Sequence, residues 1–395
     1  MVQYKYNYFE REGYAMSTEH NTDREIKISV VMPIYNAGEY LARAIGDVLH
    51  QTMQDIELIC VNDGSTDDSV DILEDLHQQD ERITLISENN FGPSVARNKG
   101  LEHASGKYVM FLDADDMFEP TLLETLYNLA EKDSLDIAVT SYDIYNDSQG
   151  KLFPATDEPN AAIFAGGAVT SKSEYPDYIL SSTTGYVWNK LFLASFLRDK
   201  KLSFDPDLYV FEDVHFTCCA MATAERVGMA DGVLVHHRIY SEQSRATLFR
   251  KYYGQVPVIY SKIKQFLMQR GMYVPLKKGF LNLSSGRCYK IYNLLWNDGK
   301  ERLWNMLHNT YAAEFDWLTH EKTAYESEEV CQFVANVALY TYAEYLEREQ
   351  KGFSINVAAL KKDEISNKVK EMQKSEQRKE NMKKTVSIFN IFKKK

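Results

Sequence analysis

The stretch that decides the fold is Tyr108-Val-Met-Phe-Leu-Asp113-Ala-Asp115-Asp116. Residues 107–112 form a short apolar run of β-forming side chains, which is typical of a fully buried strand. Three carboxylates follow within four residues, and carboxylate oxygens are preferred ligands of hard cations such as Mg²⁺ and Mn²⁺. Ligands of open α/β sheets bind beyond the carboxyl ends of the strands. The pattern therefore indicates a ligand site, although taken alone it fits a solvated acidic turn equally well.

The segments around this strand alternate between two periodicities. Short apolar runs predict strands at residues 28–34, 56–61, 83–86 and 136–141, and apolar residues at helical spacing lie between them. Alternating strands and helices form parallel sheets with right-handed crossovers. We therefore predict a doubly wound α/β unit over residues 28–141. The polar residues 142–185 that follow predict a long loop.

Polar residues stand at the ends of four of these strands or in the loops that follow. They are Tyr35-Asn36, Asp63, Asn90 and the acidic stretch that begins at Asp113. Asn, Asp and Gly favour turns for reasons of their own, so each position has that simpler explanation. Because the strands are predicted to be parallel, however, the four groups would meet at one edge of the sheet. That convergence favours a binding site.

Four segments resemble, in order and spacing, the nucleotide-sugar-binding motifs of family-2 glycosyltransferases. The segments are Val31-Met-Pro33-Ile-Tyr35-Asn36, Val61-Asn-Asp63-Gly-Ser-Thr-Asp67, Asn90-Phe-Gly92-Pro-Ser-Val-Ala96-Arg97-Asn98-Lys-Gly100 and Phe111-Leu-Asp113-Ala-Asp115-Asp116. The likeness is dense over residues 28–130 and thinner to residue 247. It implies a catalytic domain of the GT-A fold, an α/β architecture with a Rossmann-like, mostly parallel sheet. It also implies transfer of a sugar from a nucleotide donor with inversion at the anomeric carbon.

The resemblance also implies which residues bind the donor, expected to be a UDP-hexose or a UDP-N-acetylhexosamine. Pro33 and Tyr35 would pack around the base, and Asp63, which only accepts hydrogen bonds when ionised, would accept the imide N–H of uracil. Asp113 would meet the ribose. Asp115 would ligate Mn²⁺ or Mg²⁺, a Lewis acid that stabilises the departing diphosphate. The full expected donor-binding set is Pro33, Tyr35, Asn36, Asp63, Asn90, Arg97, Asp113, Ala114, Trp188, Asn189 and Lys190.

Two of the implied roles have simpler alternatives. Arg97 is expected to support the acidic loop or the phosphates, but an arginine on an exposed helix surface would look the same in sequence. The stretch Trp188-Asn-Lys-Leu-Phe192, followed by Glu212-Asp213 before an apolar helix, resembles the acceptor side of the family. There Asp213, beside Glu212, would be the general base that an inverting transfer requires. Acidic residues also favour any helix N-terminus.

The segment Val233–Tyr240 predicts a strand that carries two adjacent histidines. Neighbouring residues on a strand point to opposite faces, so only one of the two can face the site. Related enzymes place either a metal-binding histidine or an aromatic residue near this position. We assign the metal role to His237 because it directly precedes Arg238. In the loop that follows, we expect Ser244 and Arg245 to contact phosphate.

Length and charge suggest the domain organisation. The 395 residues are enough for two domains, and aromatic residues at helical spacing from Leu248 predict a smaller helical domain. Net charge is −12, but Lys361–Lys395 carries 12 basic and 5 acidic residues, which leaves an acidic body that excludes nucleic-acid binding. The expected boundaries are 1–26 for an N-terminal extension, 27–247 for the catalytic domain, 248–358 for the helical domain and 359–395 for a basic helical tail.

Cysteines and hydropathy bear on location. The five cysteines show no C-x₂-C spacing, so buried free thiols and a reducing, cytoplasmic location are expected. No stretch of 18 apolar residues occurs. The tail segment Val386–Lys395 is predicted to touch the anionic inner face of the cell membrane. Alternatively, it packs on the helical domain or on a second subunit, so an oligomer stays open.

The acceptor is expected to be a glycan or a lipid-linked glycan, as the resemblance implies. Two other functions compete with transfer. An Asp-x-Asp after a buried strand also serves aspartate-dependent phosphatases, but that function leaves Asp63, Arg97 and the Glu212-Asp213 pair without roles. A non-catalytic partner subunit could keep the fold. The presence of both Asp115 and Asp213 argues against it.

Overall fold

A computed structural model describes residues 25–155, 163–240, 250–317 and 327–353, together with Thr247 and Tyr325. Contacts divide the chain into two units. The first comprises Met1–Tyr175 and Ser182–Ser241, and the second comprises Pro176–Ser181 and Glu242–Lys395. Most of the predicted N-terminal extension, the loop with Ser244 and Arg245, and the predicted tail 359–395 lie outside the described residues.

The first unit is built from strands and helices in alternation. Its strands are β1 (Ile28–Ile34), β2 (Ile56–Asp63), β3 (Ile83–Glu88), β4 (Tyr108–Phe111), β5 (Met117–Phe118), β6 (Ile137–Asn146), β7 (Lys151–Pro154), β8 (Lys190–Leu193) and β9 (Val227–Ile239). Its helices are α1 (Gly38–Leu49), α2 (Ser69–Gln79), α3 (Pro93–His103), α4 (Leu122–Asp133), α5 (Ala194–Asp199) and α6 (Glu212–Thr223).

These strands form one mixed sheet in the order β3-β2-β1-β4-β8-β6-β9-β5, with β7 paired to β6. Strands β1 to β4 pair with one another in parallel, as predicted, and β6 is parallel to β9. The remaining pairs are antiparallel: β8 inserts between β4 and β6 and runs against both, β5 runs against β9, and β7 runs against β6. The predicted α/β class is confirmed. An uninterrupted parallel sheet over residues 28–141 is wrong, because β8 separates β4 from β6.

The prediction of a long loop from residue 142 is wrong at its start. Strand β6 continues to Asn146 and forms a hairpin with β7. Its later residues alternate between buried and partly exposed, so Tyr142 and Ile144 face the core. This period-two pattern is the signal of a half-buried strand, but polar residues between the apolar ones hid it in the sequence.

The second unit is helical, as predicted. It contains α7 (Gln255–Gln269), α8 (Tyr273–Leu294), α9 (Asn297–Met306), a π-helical turn (Leu307–Tyr311), α10 (Ala312–Glu314), α11 (Glu328–Leu339) and α12 (Tyr342–Gln350). Aromatic side chains fill its core, among them Phe280, Trp304, Phe315 and Trp317, each at most 1% exposed. Within the described residues, no helix combines the length and the apolar character needed to cross a membrane.

Candidate active site

The parallel half of the sheet ends in a pocket of about 300 Å³. Its walls come from the turns after β1, β3 and β4, from the last residue of β2, from the start of α3 and from the residue after β9. The predicted residues that line it are Pro33, Tyr35, Asn36, Asp63, Asn90, Arg97, Asp113, Ala114 and Asp115. The structure therefore gathers in one place the polar groups that the sequence placed at separate strand ends, as expected for an open α/β sheet.

Asp63 anchors the turn that follows β3. Its Oδ1 accepts the backbone N–H of Phe91 at 2.7 Å, and its Oδ2 accepts that of Gly92 at 2.9 Å. Gly92 adopts φ 93°, a backbone conformation that residues with a side chain rarely adopt. The carboxylate thus fixes this backbone against β2 while itself lining the pocket.

Asn36 holds the turn after β1 to the turn after β2. It has φ 50°, a left-handed conformation that asparagine tolerates better than most residues. Its backbone N–H donates to Ser65 Oγ at 3.1 Å, and its Oδ1 accepts the backbone N–H of Thr66 at 2.8 Å. Tyr35 beside it is 51% exposed, so its ring borders the pocket without packing in the core.

Arg97 is the buried centre of the site. Only 5% exposed, it donates from Nη2 to Asp113 Oδ1 at 2.8 Å and from Nη1 to Glu212 Oε1 at 2.6 Å. Burial opposes its positive charge, but Asp113 and Glu212 outweigh that effect and raise the pKa of Arg97. The alternative of an exposed helix arginine is therefore wrong. Arg97 instead joins the acidic loop to the start of α6.

The acidic loop carries more negative charge than its surroundings neutralise. Burial and the neighbouring carboxylate of Asp116 raise the pKa of Asp115 to about 7. Asp115 Oδ2 receives one hydrogen bond, from the Tyr240 hydroxyl at 3.2 Å. Asp116 Oδ1 accepts the backbone N–H of Arg238 at 2.9 Å. The other oxygen, Asp116 Oδ2, is buried and has no hydrogen-bond partner in the described part of the chain.

The two histidines of β9 have different surroundings. His236 uses both ring nitrogens, with Nδ1 2.6 Å from Asp143 Oδ1 and Nε2 2.9 Å from Glu119 Oε1. His237 uses Nδ1, which lies 2.9 Å from Asp116 Oδ1. A carboxylate on one imidazole nitrogen is the usual support of a histidine that binds metal through the other. Both ring nitrogens of His236 thus have carboxylate partners, whereas among the described residues only Nδ1 of His237 has one, and His237 does not line the pocket.

The carboxylate and imidazole groups at this loop are suitable ligands for a divalent cation. Among the described residues, no three His, Cys, Asp or Glu side chains form a ready metal cluster. Asp115 and His237 would therefore supply at most two ligands, and the substrate's phosphates and water would supply the others. The raised pKa of Asp115 and the unpaired Asp116 oxygen both show that a positive charge would be favourable here.

The predicted segment Trp188–Lys190 lies in the interior instead of lining the pocket. Trp188 is 2% exposed and stacks on both Tyr186 and His237, with ring centroids 4.7 Å and 4.9 Å away. Asn189 is fully buried and donates to the backbone oxygen of Thr140 at 2.9 Å. The segment therefore supports His237 through Trp188.

Lys190 is fully buried as well. Its Nζ donates to the backbone oxygens of Thr184 and Tyr186 at 3.0 Å and 2.6 Å, and to Asn189 Oδ1 at 2.7 Å. Burial lowers the pKa of Lys190 to about 7, although Asp213 opposes that shift. Three acceptors occupy the amine, so we assign it no contact with a ligand.

Helix α6 begins at Glu212-Asp213, the carboxylate pair predicted to be catalytic. Phe211, just before it, has φ 57°, a strained conformation for a bulky residue and one that is concentrated at functional sites. Glu212 is buried on Arg97. Asp213 Oδ1 accepts the backbone N–H of Val214 at 2.8 Å, and burial together with Glu212 raises the pKa of Asp213 to about 7. A partly exposed carboxyl with such a pKa suits proton transfer near neutrality.

Sequence reasoning missed two contributors to the site. Tyr240 lines the pocket and donates to Asp115. The Arg238 guanidinium donates from Nε to the Asp115 backbone oxygen at 2.8 Å and lies over the rings of Tyr40 and Tyr145. Both follow the two histidines on the predicted strand 233–240, but the alternation of faces groups them with His236 and not with the assigned His237, so it gave no signal for them.

Comparison with known proteins gives the following relatives. Residues 29–223 match the family model described as Glycosyl transferase family 2. A stretch of 127 residues, 32% of this chain and 18% of the relative, is 42% identical to Glycosyltransferase GlyA of Streptococcus pneumoniae serotype 4. A stretch of 215 residues is 33% identical to Uncharacterized glycosyltransferase EpsJ of Bacillus subtilis (strain 168). It covers 53% of this chain and 60% of EpsJ, so the chain spans less than two thirds of either relative.

A solved structure shares the fold. The crystal structure of S. aureus TarS 1-349 in complex with UDP-GlcNAc superposes with a TM-score of 0.61 at 19% sequence identity. The match covers 82% of this chain and 92% of that one. At this identity the likeness concerns the fold, and it agrees with the α/β architecture and the helical C-terminal region described above.

Proposed function

Because the chain belongs, over residues 29–223, to glycosyl transferase family 2, we propose that it transfers a sugar from a nucleotide-sugar donor. The acceptor is a glycan or a lipid-linked glycan, and the anomeric configuration is inverted. One observation carries the proposal. The pocket at the parallel strand ends holds Asp63, Asp113 and Asp115 together, and Arg97 connects Asp113 to the start of α6, where Asp213 stands.

The donor is a UDP-sugar. An ionised carboxylate has about four lone-pair sites, and the Phe91 and Gly92 amides occupy two of those on Asp63. The remaining sites can accept the imide N–H of uracil, while they would repel the unprotonated N3 of cytosine, which is itself an acceptor. The bound UDP-GlcNAc of TarS supports this choice of nucleotide. Pro33 and the exposed ring of Tyr35 border the space for the base.

The carboxylates beyond the base have separate tasks. Asp113, held by Arg97, faces the pocket where the ribose would lie. Asp115 and His237 would hold Mn²⁺ or Mg²⁺. When bound, such a cation neutralises the diphosphate and acts as a Lewis acid toward the leaving group. Tyr240, which donates to Asp115, keeps that carboxylate turned toward the pocket.

Asp213 is the general base. An inverting transfer needs one carboxylate that takes the proton of the acceptor hydroxyl as that oxygen attacks the anomeric carbon. The adjacent Glu212 is neutralised by Arg97, so it is not available for this role. The ion pair with Arg97 fixes Glu212 at the first turn of α6, after the strained Phe211. That turn sets the direction of the neighbouring Asp213 side chain.

The experiment is a donor screen on the full chain that measures nucleoside diphosphate release with Mn²⁺, with Mg²⁺ and with EDTA. We expect release from a UDP-sugar in the presence of metal and at least a tenfold loss with EDTA, because the acidic loop then keeps its uncompensated charge. Calorimetry with UDP, GDP and CMP tests the base. Binding of GDP or CMP as tightly as UDP would refute the choice of uracil as the base.

A further inference from the structure

The helical unit contains a groove of about 430 Å³ that the proposed transfer does not use. Three helices border the groove, and each contributes residues from one of its faces. Tyr289 comes from α8, Gln332 and Asn336 from α11, and Tyr345 and Arg348 from α12. Gln332 and Asn336 are four residues apart and therefore lie on the same face of their helix, which places two carboxamides in a row along one wall.

The floor of the groove is aromatic. Trp304 is fully buried, and Tyr345 stacks on it with 4.3 Å between ring centroids and 23° between ring planes. Phe333 lies 5.4 Å from Tyr289 and 6.0 Å from Trp304. Tyr289 and Tyr345 remain partly exposed. Cavities that combine aromatic surfaces with a few placed polar groups are typical of small-molecule binding sites.

The polar side chains of the groove supply both donors and acceptors. Carboxamides such as those of Gln332 and Asn336 do both. Glu349 accepts the Tyr345 hydroxyl at 2.6 Å and keeps further lone pairs. Arg348 lies over the ring of Tyr340 at 4.4 Å, and its Nε is buried without a hydrogen-bond partner in the described part of the chain. Such a guanidinium is stabilised by an added acceptor.

Charge narrows the class of ligand. Glu328, Glu329 and Glu349 line the groove with Arg348 as the single cation among its lining residues. This excess of negative charge disfavours a phosphate-bearing polymer. A purely apolar helix would leave the buried Nε of Arg348 without an acceptor, and an unmade hydrogen bond of a buried group is unfavourable.

We propose that this groove is a second saccharide site that takes a neutral oligosaccharide. A sugar ring offers an apolar C–H face, which suits Tyr345 and Tyr289, and an edge of hydroxyls that both donate and accept, which suits Gln332 and Arg348. The proposal stands apart from the transfer reaction, because the groove lies in the second unit and its occupancy is measured by binding alone.

Saturation-transfer NMR on the full chain tests the site with two probes, the β-1,4-linked tetramers of glucose and of N-acetylglucosamine. We expect signal from at least one tetramer, unchanged by excess UDP. In Tyr289→Ala and in Asn336→Ala the affinity should fall at least tenfold, while each variant still unfolds in one cooperative transition. The matched controls are Trp296→Ala, at a ring that is 71% exposed and outside the groove, and Gln269→Ala, at an exposed position. Both should bind like the unaltered chain.

Three outcomes would overturn the proposal. The first is the absence of signal from both tetramers with the unaltered chain. The second is equal binding by the groove variants and the controls. The third is a lower melting temperature in both groove variants without any tetramer binding, which would mean that the chain itself covers the groove. Binding of inorganic polyphosphate in place of the tetramers would contradict the charge argument directly.

Discussion

The polar edge and the buried segment of the first unit both match the motifs of the family, yet they are built differently. The polar edge is the pocket with Asp63, Asp113 and Asp115, extended through Arg97 to the start of α6. The buried segment is Trp188–Lys190, whose side chains are at most 2% exposed. At the edge, the carboxylates of Asp63, Asp113 and Asp115 accept fewer hydrogen bonds from the described residues than their lone pairs allow. In the segment, the amine of Lys190 and the amide of Asn189 are occupied by protein partners.

The difference shows that a motif residue acts on a ligand through hydrogen-bonding positions that its own surroundings do not occupy. Asp63 binds two backbone amides and still faces the pocket, so it combines a structural and a binding role. Lys190 spends three hydrogen bonds on oxygens of its own surroundings. Changes at the edge should therefore alter turnover and donor binding, whereas changes in the buried segment should alter stability.

The largest effect is expected at Asp213. Asp213→Asn keeps the size of the side chain but removes the base, so turnover should fall by about 10²–10⁴, the usual contribution of general-base catalysis. Donor affinity should stay the same, because Asp213 does not line the donor pocket. Single-turnover kinetics and UDP calorimetry measure the two quantities separately.

The matched control is Asp199→Asn, at a carboxylate that is 71% exposed on α5. Its turnover should equal that of the unaltered chain. Near-normal turnover in Asp213→Asn would remove Asp213 from the reaction, and a product with retained anomeric configuration would remove the inverting scheme altogether.

The parallel core was predictable because its signals are local. Strand β1 was predicted at its observed bounds, and the strands β2 and β3 were predicted with their starts at Ile56 and Ile83. Each has a continuous apolar run that needs no distant partner to be recognised. The acidic stretch after β4 could be read for the same reason, since three carboxylates in four residues are visible without coordinates.

The antiparallel half was not predictable in this way. Strand β8 has only four residues, and it is a strand because β4 and β6 lie on either side of it. Likewise, Asp143 and Glu119 clamp His236 from 93 and 117 residues away in sequence. The burial of Lys190 depends on such distant neighbours as well. Partners of this kind are set by tertiary packing, which no window of the sequence contains.

A smaller effect is expected in the buried segment, at Lys190. Lys190→Met should lower the free energy of unfolding by about 2–4 kcal/mol, because three buried acceptors lose their donor while the cost of burying the amine disappears. The midpoint of urea denaturation measures the change. Lys132→Met, at an exposed lysine of α4, is the control and should stay within about 0.5 kcal/mol. A donor KM that rises with Lys190→Met would assign this lysine to the polar edge.

The smallest effect is a pH dependence that separates the two regions. Burial raises the pKa of Asp213 and lowers that of Lys190, in each case to about 7. Asp213 must be ionised to act as a base, so turnover should fall about tenfold for each pH unit below 7. Because its folded pKa lies above the unfolded value, the folded chain binds the extra proton, and Asp213 makes stability decline as pH rises from about 4 to 7.

Lys190 changes stability with pH in the opposite direction to Asp213, and it does so in a different pH range. Its folded pKa lies below the unfolded value of about 10.5, so the unfolded chain binds more protons between pH 7 and 10.5, and stability should rise with pH there. One proton limits that slope to about 1.4 kcal/mol per pH unit.

Lys190→Met should therefore lose the alkaline rise in stability and keep the acid limb of turnover. At saturating Mn²⁺, which would keep Asp115 ionised, the residual activity of Asp213→Asn should lack the acid limb while stability still rises above pH 7. If both variants lost the same feature, the two groups would titrate as one site, and the separation between edge and segment would fail.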